Sequence, residues 1–274
     1  MNDRIESIRH PDGVVELQLS RPDKMNALDP SMFDALIDAG EQLCRDERVR
    51  AVVIAGRGKA FCAGLDMQSF ERMRQGPGSG LIGQQASTDL VERTHGISNA
   101  AQRVATVWRD VPVPVIAAVH GVAFGGGLQV ALGADIRLVA PDTRMSVMEI
   151  KWGLVPDMGG MVLMRELARA DVVRELCFTG RIFSGEEAVA LGFATRVSAD
   201  PLADALAMAR EIAQKSPEAI RAGKRLLNAA MGHSAAELLL AESVEQKVLI
   251  GSASQTEAVR ANLERRPPRF EPQP

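Results

Sequence analysis

The sequence predicts an α/β fold with a helical region at its C-terminal end. Three observations predict it: short β-branched apolar runs, intervening segments with apolar residues at helical spacing, and a wholly helical pattern after about Phe183. With 274 residues, 46% of them hydrophobic and 24% charged, the chain is long enough for one or two globular domains. We place the division between a core of residues 1–199 and a helical region of residues 200–274.

The first elements predict a strand, a helix and a second strand. Val14–Leu19 alternates and is rich in β-branched residues, which is typical of a strand. Asp29 and Pro30 then predict a helix start, because aspartate is a good N-cap and proline suits the first turn. Residues 49–55 predict the next strand, which ends at a turn that contains glycine.

The middle of the chain continues this alternation. Residues 75–87 are rich in glycine and polar side chains and predict either a mobile loop near a ligand or a linker. A helix is predicted up to about Arg109, then a strand at 115–119, a helix of small residues at 126–133 and a strand at 136–139. Strands that alternate with helices indicate α/β architecture.

Helix signals dominate the last third of the chain. Three N-cap signals predict helix starts, at Ser184, Asp200 and Ser216. Residues 238–250 repeat apolar side chains at helical spacing, and Ser254 with Glu257 resembles a capping box. Exposed apolar faces on such helices would pack on the core or on a second subunit, so we expect a homo-oligomer.

Composition excludes several classes of protein. A net charge of −3 and a pI near 5.9 give no basic surface for nucleic acid. The N-terminus is polar and no apolar run reaches the roughly 18 residues of a membrane span, so we expect a cytoplasmic protein without a membrane partner. The cysteines form no CxxC pair and no cluster has metal-ligand spacing, so we expect no metal.

Two glycine-containing turns are the candidate ligand-binding elements. Residues 60–66 (AFCAGLD) and 120–127 (HGVAFGGG) each follow an apolar strand and precede a predicted helix. Glycine lets the main chain approach a ligand closely, and a helix start presents unpaired N–H groups. Neither turn has the spacing of a dinucleotide fingerprint or of a P-loop. Tight turns without a ligand remain the alternative.

A set of motifs resembles the crotonase (enoyl-CoA hydratase/isomerase) superfamily across the whole chain. The central one is residues 114–129 (PVIAAVHGVAFGGGLQ), followed by 134–137 (ADIR). Further matching stretches occur in the same order, at residues 20–28, 61–66, 153–156 and 178–181. The resemblance implies a spiral core of repeated ββα units with a C-terminal helical trimerisation region, assembled as a trimer or as a hexamer of two trimers.

The resemblance also implies an acyl-coenzyme A site. The backbone N–H groups of Leu65 and Gly126 are expected to hold the thioester oxygen and stabilise an enolate, each donor typically contributing about 2.7–4 kcal/mol. Lys24, Ala63 and Asp66 are expected to lie near the coenzyme A nucleotide or to shape its turn. Coenzyme A is part of the substrate, so no separate cofactor is expected.

Three polar residues decide which chemistry is expected at that site. Typical hydratases have one glutamate two residues after the triple glycine, where this chain has Gln129, and a second one that matches Glu149. An amide takes up no proton near neutral pH, which disfavours ordinary two-glutamate hydration. Asp157 stands where hydratases usually have glycine, and its spacing from Glu149 resembles the dienoyl-CoA isomerase branch. Two carboxyls in one apolar pocket should have separated pKa values.

The sequence therefore predicts an enzyme that moves a double bond in an unsaturated acyl-CoA, with Glu149 and Asp157 exchanging the proton. One alternative is hydration of a 2-enoyl-CoA by Glu149 alone, with Gln129 orienting the water. A second alternative is an acyl-CoA binder without catalysis. Structural roles compete as well, namely a helix cap for Asp157 and a surface position on an amphipathic strand for Glu149.

Overall fold

The structure is a computed structural model that describes residues 3–74 and 89–270, so the loop predicted at 75–87 lies outside the described residues. Its strands are β1 Ile5–Arg9, β2 Val14–Leu19, β3 Ala51–Gly56, β4 Val115–Val119, β5 Val122–Phe124, β6 Ile136–Val139, β7 Arg144–Ser146 and β8 Arg196–Val197. Its α-helices are α1 Pro30–Arg45, α2 Met67–Met73, α3 Ala100–Asp110, α4 Gly126–Leu132, α5 Gly160–Leu167, α6 Ala170–Thr179, α7 Gly185–Leu191, α8 Pro201–Ala213, α9 Pro217–Ala229, α10 Ala235–Leu249 and α11 Ala253–Leu263. Short 3-10 turns occupy Pro22–Lys24 and Glu149–Trp152.

Six strands form one sheet in the order β1-β2-β3-β4-β6-β8. The β1–β2 pair is antiparallel, and the other neighbouring pairs are parallel. The predictions for β2, β4 and β6 are confirmed at their residue limits, and β3 begins two residues later than predicted. The Asp29 side chain accepts a hydrogen bond from the Met32 N–H, which confirms the predicted start of α1.

Both faces of this sheet are buried, which explains its nearly continuous apolar strands. Along β3, Val52 and Ile54 face the main core, which includes side chains of α1 and α3. Their neighbours Ala51, Val53 and Ala55 face the opposite way, toward apolar side chains of α8. This alternation follows from the two-residue period of a strand.

A second row of short strand contacts runs beside the large sheet. It consists of the parallel β5–β7 pair, flanked by isolated bridges Leu28 with Leu65, Cys62 with Ala123, and Met145 with Phe183. The chain therefore passes repeatedly from a long strand to a short one and then to a helix, as in β4, β5 and α4. This arrangement confirms the predicted spiral of ββα units.

Two local predictions are wrong. Glu149 does not lie on an amphipathic strand, because β7 ends at Ser146 and Glu149 begins a 3-10 turn. The N-cap of α11 is Ser252, whose side chain accepts from the Gln255 N–H, so Ser254 lies inside the helix. Glu257 does not cap the helix. Its carboxylate instead accepts two charged hydrogen bonds from Arg266.

The C-terminal helices differ in how they contact the rest of the chain. Helix α8 covers one face of the large sheet and completes its core. Helix α10 has no buried residue and packs mainly against α9. The division between residues 199 and 200 stays a prediction.

In the described ranges 3–74 and 89–270, no helix combines the length and the apolar composition that a membrane span requires.

Candidate active site

A cavity of about 530 Å³ lies where the two glycine-containing turns meet the 3-10 turn Glu149–Trp152. Its wall is predominantly apolar, and its acidic side chains are Glu149 and Asp157. Of the residues predicted for the site, Ala63, Leu65, Gly126, Glu149 and Asp157 line this cavity. Apolar side chains that share it are Phe33, Met67, Phe70, Met73, Leu90, Phe124, Met148, Trp152, Leu154, Val155 and Met158.

The two predicted oxyanion donors are brought together. A Cβ atom on Gly64 would lie 2.6 Å from the Phe124 oxygen and 3.7 Å from the Gly126 nitrogen, so only glycine permits this approach. Gly64 also has φ +87°, in the region that favours glycine.

The N–H groups of Leu65 and Gly126 are available to a ligand. The Leu28 N–H donates to the Gly64 oxygen and the Asp66 N–H donates to the Leu28 oxygen, so the Leu65 N–H points away from Leu28. Gly126 is the first residue of α4, where a helix leaves its N–H groups unpaired. Within the described parts of the chain, neither N–H has a hydrogen-bond partner. Two unpaired N–H donors on the wall of one cavity are the kind of groups that stabilise an oxyanion.

Glu149 is the buried acid of the cavity. Its Oε1 accepts a 2.6 Å hydrogen bond from Gln129 Nε2, and its Oε2 is buried without a hydrogen-bond partner among the described residues. Burial raises the pKa of Glu149 and the charge of Asp157 raises it further, whereas the bond from Gln129 acts in the opposite direction. A Cβ on Gly125 would lie 3.3 Å from Glu149 Oε1, so this carboxyl adjoins the Gly126 donor.

Asp157 is the second acid, in the turn that precedes α5. Its surface is open to the cavity, and the surrounding protein raises the pKa of its carboxyl by desolvation. The helix-cap alternative is wrong, because the N-cap of α5 is Gly159, with φ +85°. Two carboxyls with raised pKa values in one apolar cavity are suited to moving protons.

Gln129 lies behind Glu149 and does not line the cavity. It is 2% exposed, and its Oε1 accepts hydrogen bonds from the Met158 N–H at 2.9 Å and the Gly160 N–H at 2.8 Å. These hydrogen bonds commit the oxygen and one N–H of the Gln129 amide to the protein, which disfavours the alternative that Gln129 orients a catalytic water. Its direct role is to hold Glu149.

The residues predicted for coenzyme A lie at the edge of this region. Ala63 lines the cavity, whereas Lys24 and Asp66 do not. Asp66 caps α2 by accepting from the Gln68 N–H at 2.8 Å, and it pairs with Arg21 at 2.5 Å. Burial alone would raise the pKa of Asp66, but these two partners hold it below its ordinary value. Asp66 thus shapes the turn, and a coenzyme A contact for Lys24 stays a prediction.

Sequence reasoning missed the aromatic wall of the cavity. Phe70 on α2 and Trp152 on the 3-10 turn stack with ring centroids 4.2 Å apart. They follow Leu65 and Glu149 by five and three residues respectively. An aromatic residue within five positions after each of these two candidate site residues was the available signal, but the direction of each side chain depends on the tertiary structure.

No group of three His, Cys, Asp or Glu side chains suited to a metal ion occurs within residues 3–74 and 89–270. Cys62 is buried, and burial raises the pKa of its thiol to about 12, which leaves it protonated.

Comparison with known proteins gives a consistent picture. Residues 9–273 match the family model described as Enoyl-CoA hydratase/isomerase. The chain is 35% identical over 232 residues to the mitochondrial Delta(3,5)-Delta(2,4)-dienoyl-CoA isomerase of Homo sapiens, covering 82% of this chain and 69% of that protein. It is 32% identical over 255 residues to a putative enoyl-CoA hydratase of Thermus thermophilus, covering 92% and 95%.

Solved structures share this fold over nearly the full length. An enoyl-CoA hydratase of Mycobacterium smegmatis superposes with a TM-score of 0.83 at 32% identity, covering 97% of this chain and 98% of that chain. A probable enoyl-CoA hydratase/isomerase of Mycobacterium abscessus gives a TM-score of 0.82 at 33% identity, covering 98% and 99%.

Proposed function

Because the chain belongs to the enoyl-CoA hydratase/isomerase (crotonase) family, we propose that it is an acyl-CoA isomerase that converts a 3,5-dienoyl-CoA into the 2,4-dienoyl-CoA. The observation that carries the proposal is that two carboxyls, Glu149 and Asp157, line one cavity beside the unpaired Leu65 and Gly126 N–H groups. A relative named for this reaction is 35% identical, which supports it.

The reaction requires one proton to leave and another to arrive at a distant carbon. Removal of a proton from carbon 2 of a 3,5-dienoyl thioester spreads the negative charge over the chain and the thioester oxygen. Return of a proton at carbon 6 leaves double bonds at carbons 2 and 4, so atoms and charge balance. The N–H groups of Leu65 and Gly126 stabilise the intermediate by holding its oxygen.

The positions of the two acids suggest how they divide this work. Glu149 lies beside Gly125, which precedes the Gly126 donor, and carbon 2 is the neighbour of the carbonyl that this donor would hold. Glu149 thus takes the proton from carbon 2, and Asp157 gives a proton to carbon 6. Both pKa values are raised, so we assign one shared proton to the pair at the start of the reaction. The hydrogen bond from Gln129 favours the ionised form of Glu149, which leaves that proton on Asp157.

Ordinary two-glutamate hydration fits this cavity less well. Hydration would need a second group beside Glu149 to hold and activate the water. Gln129 is the residue at that position, but its oxygen accepts from Met158 and Gly160 and its nitrogen donates to Glu149. It is therefore not placed to hold a water in the cavity.

The test compares two substrates by ultraviolet absorbance. A 3,5-dienoyl-CoA is expected to give the stronger absorbance of a 2,4-dienoyl-CoA, and crotonyl-CoA is expected to be unchanged. Glu149→Gln and Asp157→Asn should each lower kcat by about 10²–10⁴-fold, the usual contribution of a general acid or base. Unaltered turnover in Asp157→Asn would eliminate the two-acid mechanism. Turnover of crotonyl-CoA alone would instead favour hydration by Glu149.

We also propose that the chain forms a homo-oligomer, a trimer or a hexamer. Helix α10 has no buried residue although it carries several large apolar side chains: Leu239, Leu240, Val244 and Val248. Soluble proteins seldom leave so much contiguous apolar surface in water. A second copy of the chain is the partner that this surface fits.

A further inference from the structure

Gln129 uses both ends of its side-chain amide inside the protein. Its Oε1 accepts from the backbone N–H groups of Met158 and Gly160, and its Nε2 donates to Glu149 Oε1 at 2.6 Å. With an exposed fraction of 2%, Gln129 does not reach the substrate. Its influence on the reaction must pass through the residues that it contacts.

The orientation of this amide has no alternative. If the amide were reversed, its NH₂ group would face the two N–H donors of Met158 and Gly160, and three donors would meet without an acceptor. The nitrogen must therefore face Glu149. Because that nitrogen can only donate, Glu149 Oε1 is fixed as an acceptor and cannot direct a proton toward Gln129.

The other oxygen of Glu149 is in the opposite situation. Oε2 is buried and has no hydrogen-bond partner among the described residues, although buried polar atoms are nearly always paired. Glu149 is one of the residues that line the cavity, and a substrate bound there would supply the missing partner of this atom. We propose that Gln129 is a positioning residue that occupies Oε1 of Glu149 and reserves Oε2 as the atom that exchanges the proton with carbon 2. This inference rests on the proposed function and assigns the reacting atom within it.

The same amide also fixes the turn that carries the second acid. Met158 and Gly160, which donate to Gln129, follow Asp157 by one and three residues. A Cβ atom on Gly160 would lie 2.6 Å from Gln129 Oε1, so the turn is held as close as a backbone can come. One neutral side chain therefore sets the positions of both acids.

Few other groups can disturb this arrangement electrostatically. The titratable groups that face Glu149 from the described elements packed around it are Asp157, in the turn before α5, and Cys177, on α6. Burial raises the pKa of the Cys177 thiol, which stays neutral. A change in the titration of Glu149 after substitution of Gln129 is therefore attributable to the lost amide.

The test is exchange of the carbon 2 protons of hexanoyl-CoA, a saturated thioester, in deuterium oxide. This half-reaction needs Glu149 and the two N–H donors but no double bond, so NMR can follow it independently of isomerisation. In the wild type, the exchange rate should rise with pH as Glu149 ionises. Glu149→Gln should abolish exchange.

Two substitutions of Gln129 separate positioning from packing. Gln129→Glu keeps an acceptor for both backbone N–H groups but places a carboxyl against Glu149 Oε1. The pair must then share a proton, so the rising limb of the rate should move to higher pH by more than about one unit. Gln129→Met removes every polar contact, and the misplaced carboxyl should lower the exchange rate by about ten- to a hundredfold. Thermal unfolding and acyl-CoA binding show whether each variant is folded.

Four outcomes distinguish the positioning role of Gln129 from the proposed isomerisation. A shift of the rising part of the exchange-rate profile to higher pH in folded Gln129→Glu supports the inference. Wild-type rate and pH dependence in both Gln129 variants would overturn it and leave Gln129 a packing residue. Wild-type exchange without conversion of 3,5-dienoyl-CoA would remove the proposed isomerisation alone, and a wild type that exchanges no proton at carbon 2 would overturn both.

Discussion

Lys224 of α9 donates a hydrogen bond to Asp135 Oδ2 at 2.7 Å, across 89 residues of sequence. Its ammonium group also donates to the backbone oxygens of Trp108 and Val113, and Asp135 accepts from the Val115 N–H. The side chain of Lys224 is only 6% exposed. This contact fixes α9 to the core, and it shows that Asp135, in the ADIR motif, has a structural role.

The first prediction concerns this buried pair. Lys224→Met should lower the free energy of unfolding by about 3–5 kcal/mol, because it leaves Asp135 and two carbonyl oxygens without their partner. Lys215→Met is the control. Among the described residues, the ammonium group of Lys215 pairs only with exposed Glu211, so this substitution should change stability by less than about 0.5 kcal/mol. Urea unfolding measures both. Equal effects would contradict the structural role of Lys224.

The second prediction concerns the backbone donor at position 65. Leu65→Pro removes the N–H group and should lower kcat by about 10²–10³-fold, the usual effect of losing one oxyanion donor. Leu65→Ala keeps the N–H and should retain most of kcat. Steady-state kinetics of 3,5-dienoyl-CoA conversion, with circular dichroism to confirm folding, separates them. Similar kcat values in the two variants would show that this N–H does not hold the oxyanion.

The third prediction follows from the raised pKa of Glu149, which burial lifts above the ordinary value of 4.5. The folded protein then binds this proton more readily than the unfolded chain, so its contribution to stability falls as pH rises above that ordinary value. Glu149→Gln removes the free-energy cost of ionising this buried carboxyl. The variant should therefore be more stable than the wild type near about pH 7 and no different near about pH 4. Thermal unfolding across this range measures the difference.

A second substitution, which should change stability in the opposite direction, provides a control for that test. The side chain of Arg266, the Arg269 N–H and the side chain of Arg260 hold the pKa of Glu257 below its ordinary value. Glu257 therefore stabilises the fold above the pKa of the unfolded chain, and this contribution is lost as pH falls. Glu257→Gln should be less stable than the wild type at neutral pH. Differences of the same sign in both variants would contradict the assignment.

The fourth prediction concerns the aromatic wall. Trp152→Ala removes the ring that stacks on Phe70 in the cavity wall. Because an aromatic pair contributes about 0.5–1.5 kcal/mol, its loss should lower kcat/KM for a dienoyl-CoA by about two- to tenfold. Lys151→Met removes only the ammonium group 5.3 Å from the Trp152 ring and should have a smaller effect. Kinetics that depend on Lys151 more than on Trp152 would refute the role of the stack.

The fifth prediction tests the proposed oligomer. Charges placed on the exposed apolar face of α10, in Val244→Glu with Val248→Glu, should reduce the molar mass in light scattering to that of a smaller assembly. Glu242→Gln on the same helix should leave the mass unchanged, because it removes no apolar contact. A wild type that is monomeric at micromolar concentration would remove the proposal.

Much of the fold could be predicted because its signals are local. The limits of β2, β4 and β6 follow from apolar β-branched runs, and the start of α1 follows from Asp29 and Pro30. The three-residue strands β5 and β7 were missed, because so short a run shows no period. The supposed capping box at Ser254 was wrong, because ion pairs with arginines several residues away recruit Glu257.

The sequence by itself determined the alternation of strands and helices, the glycine turns and the candidate acids Glu149 and Asp157, since these depend on residue type and spacing along the chain. The tertiary structure alone decided that Gly64 packs against the backbone of Phe124 and Gly126 and that Gln129 supports Glu149 from behind the cavity. The physical reason is that a hydrogen bond or a desolvated carboxyl depends on atoms contributed by distant segments. Local patterns carry no information about which side chain faces which cavity until the sheet and its helices have packed.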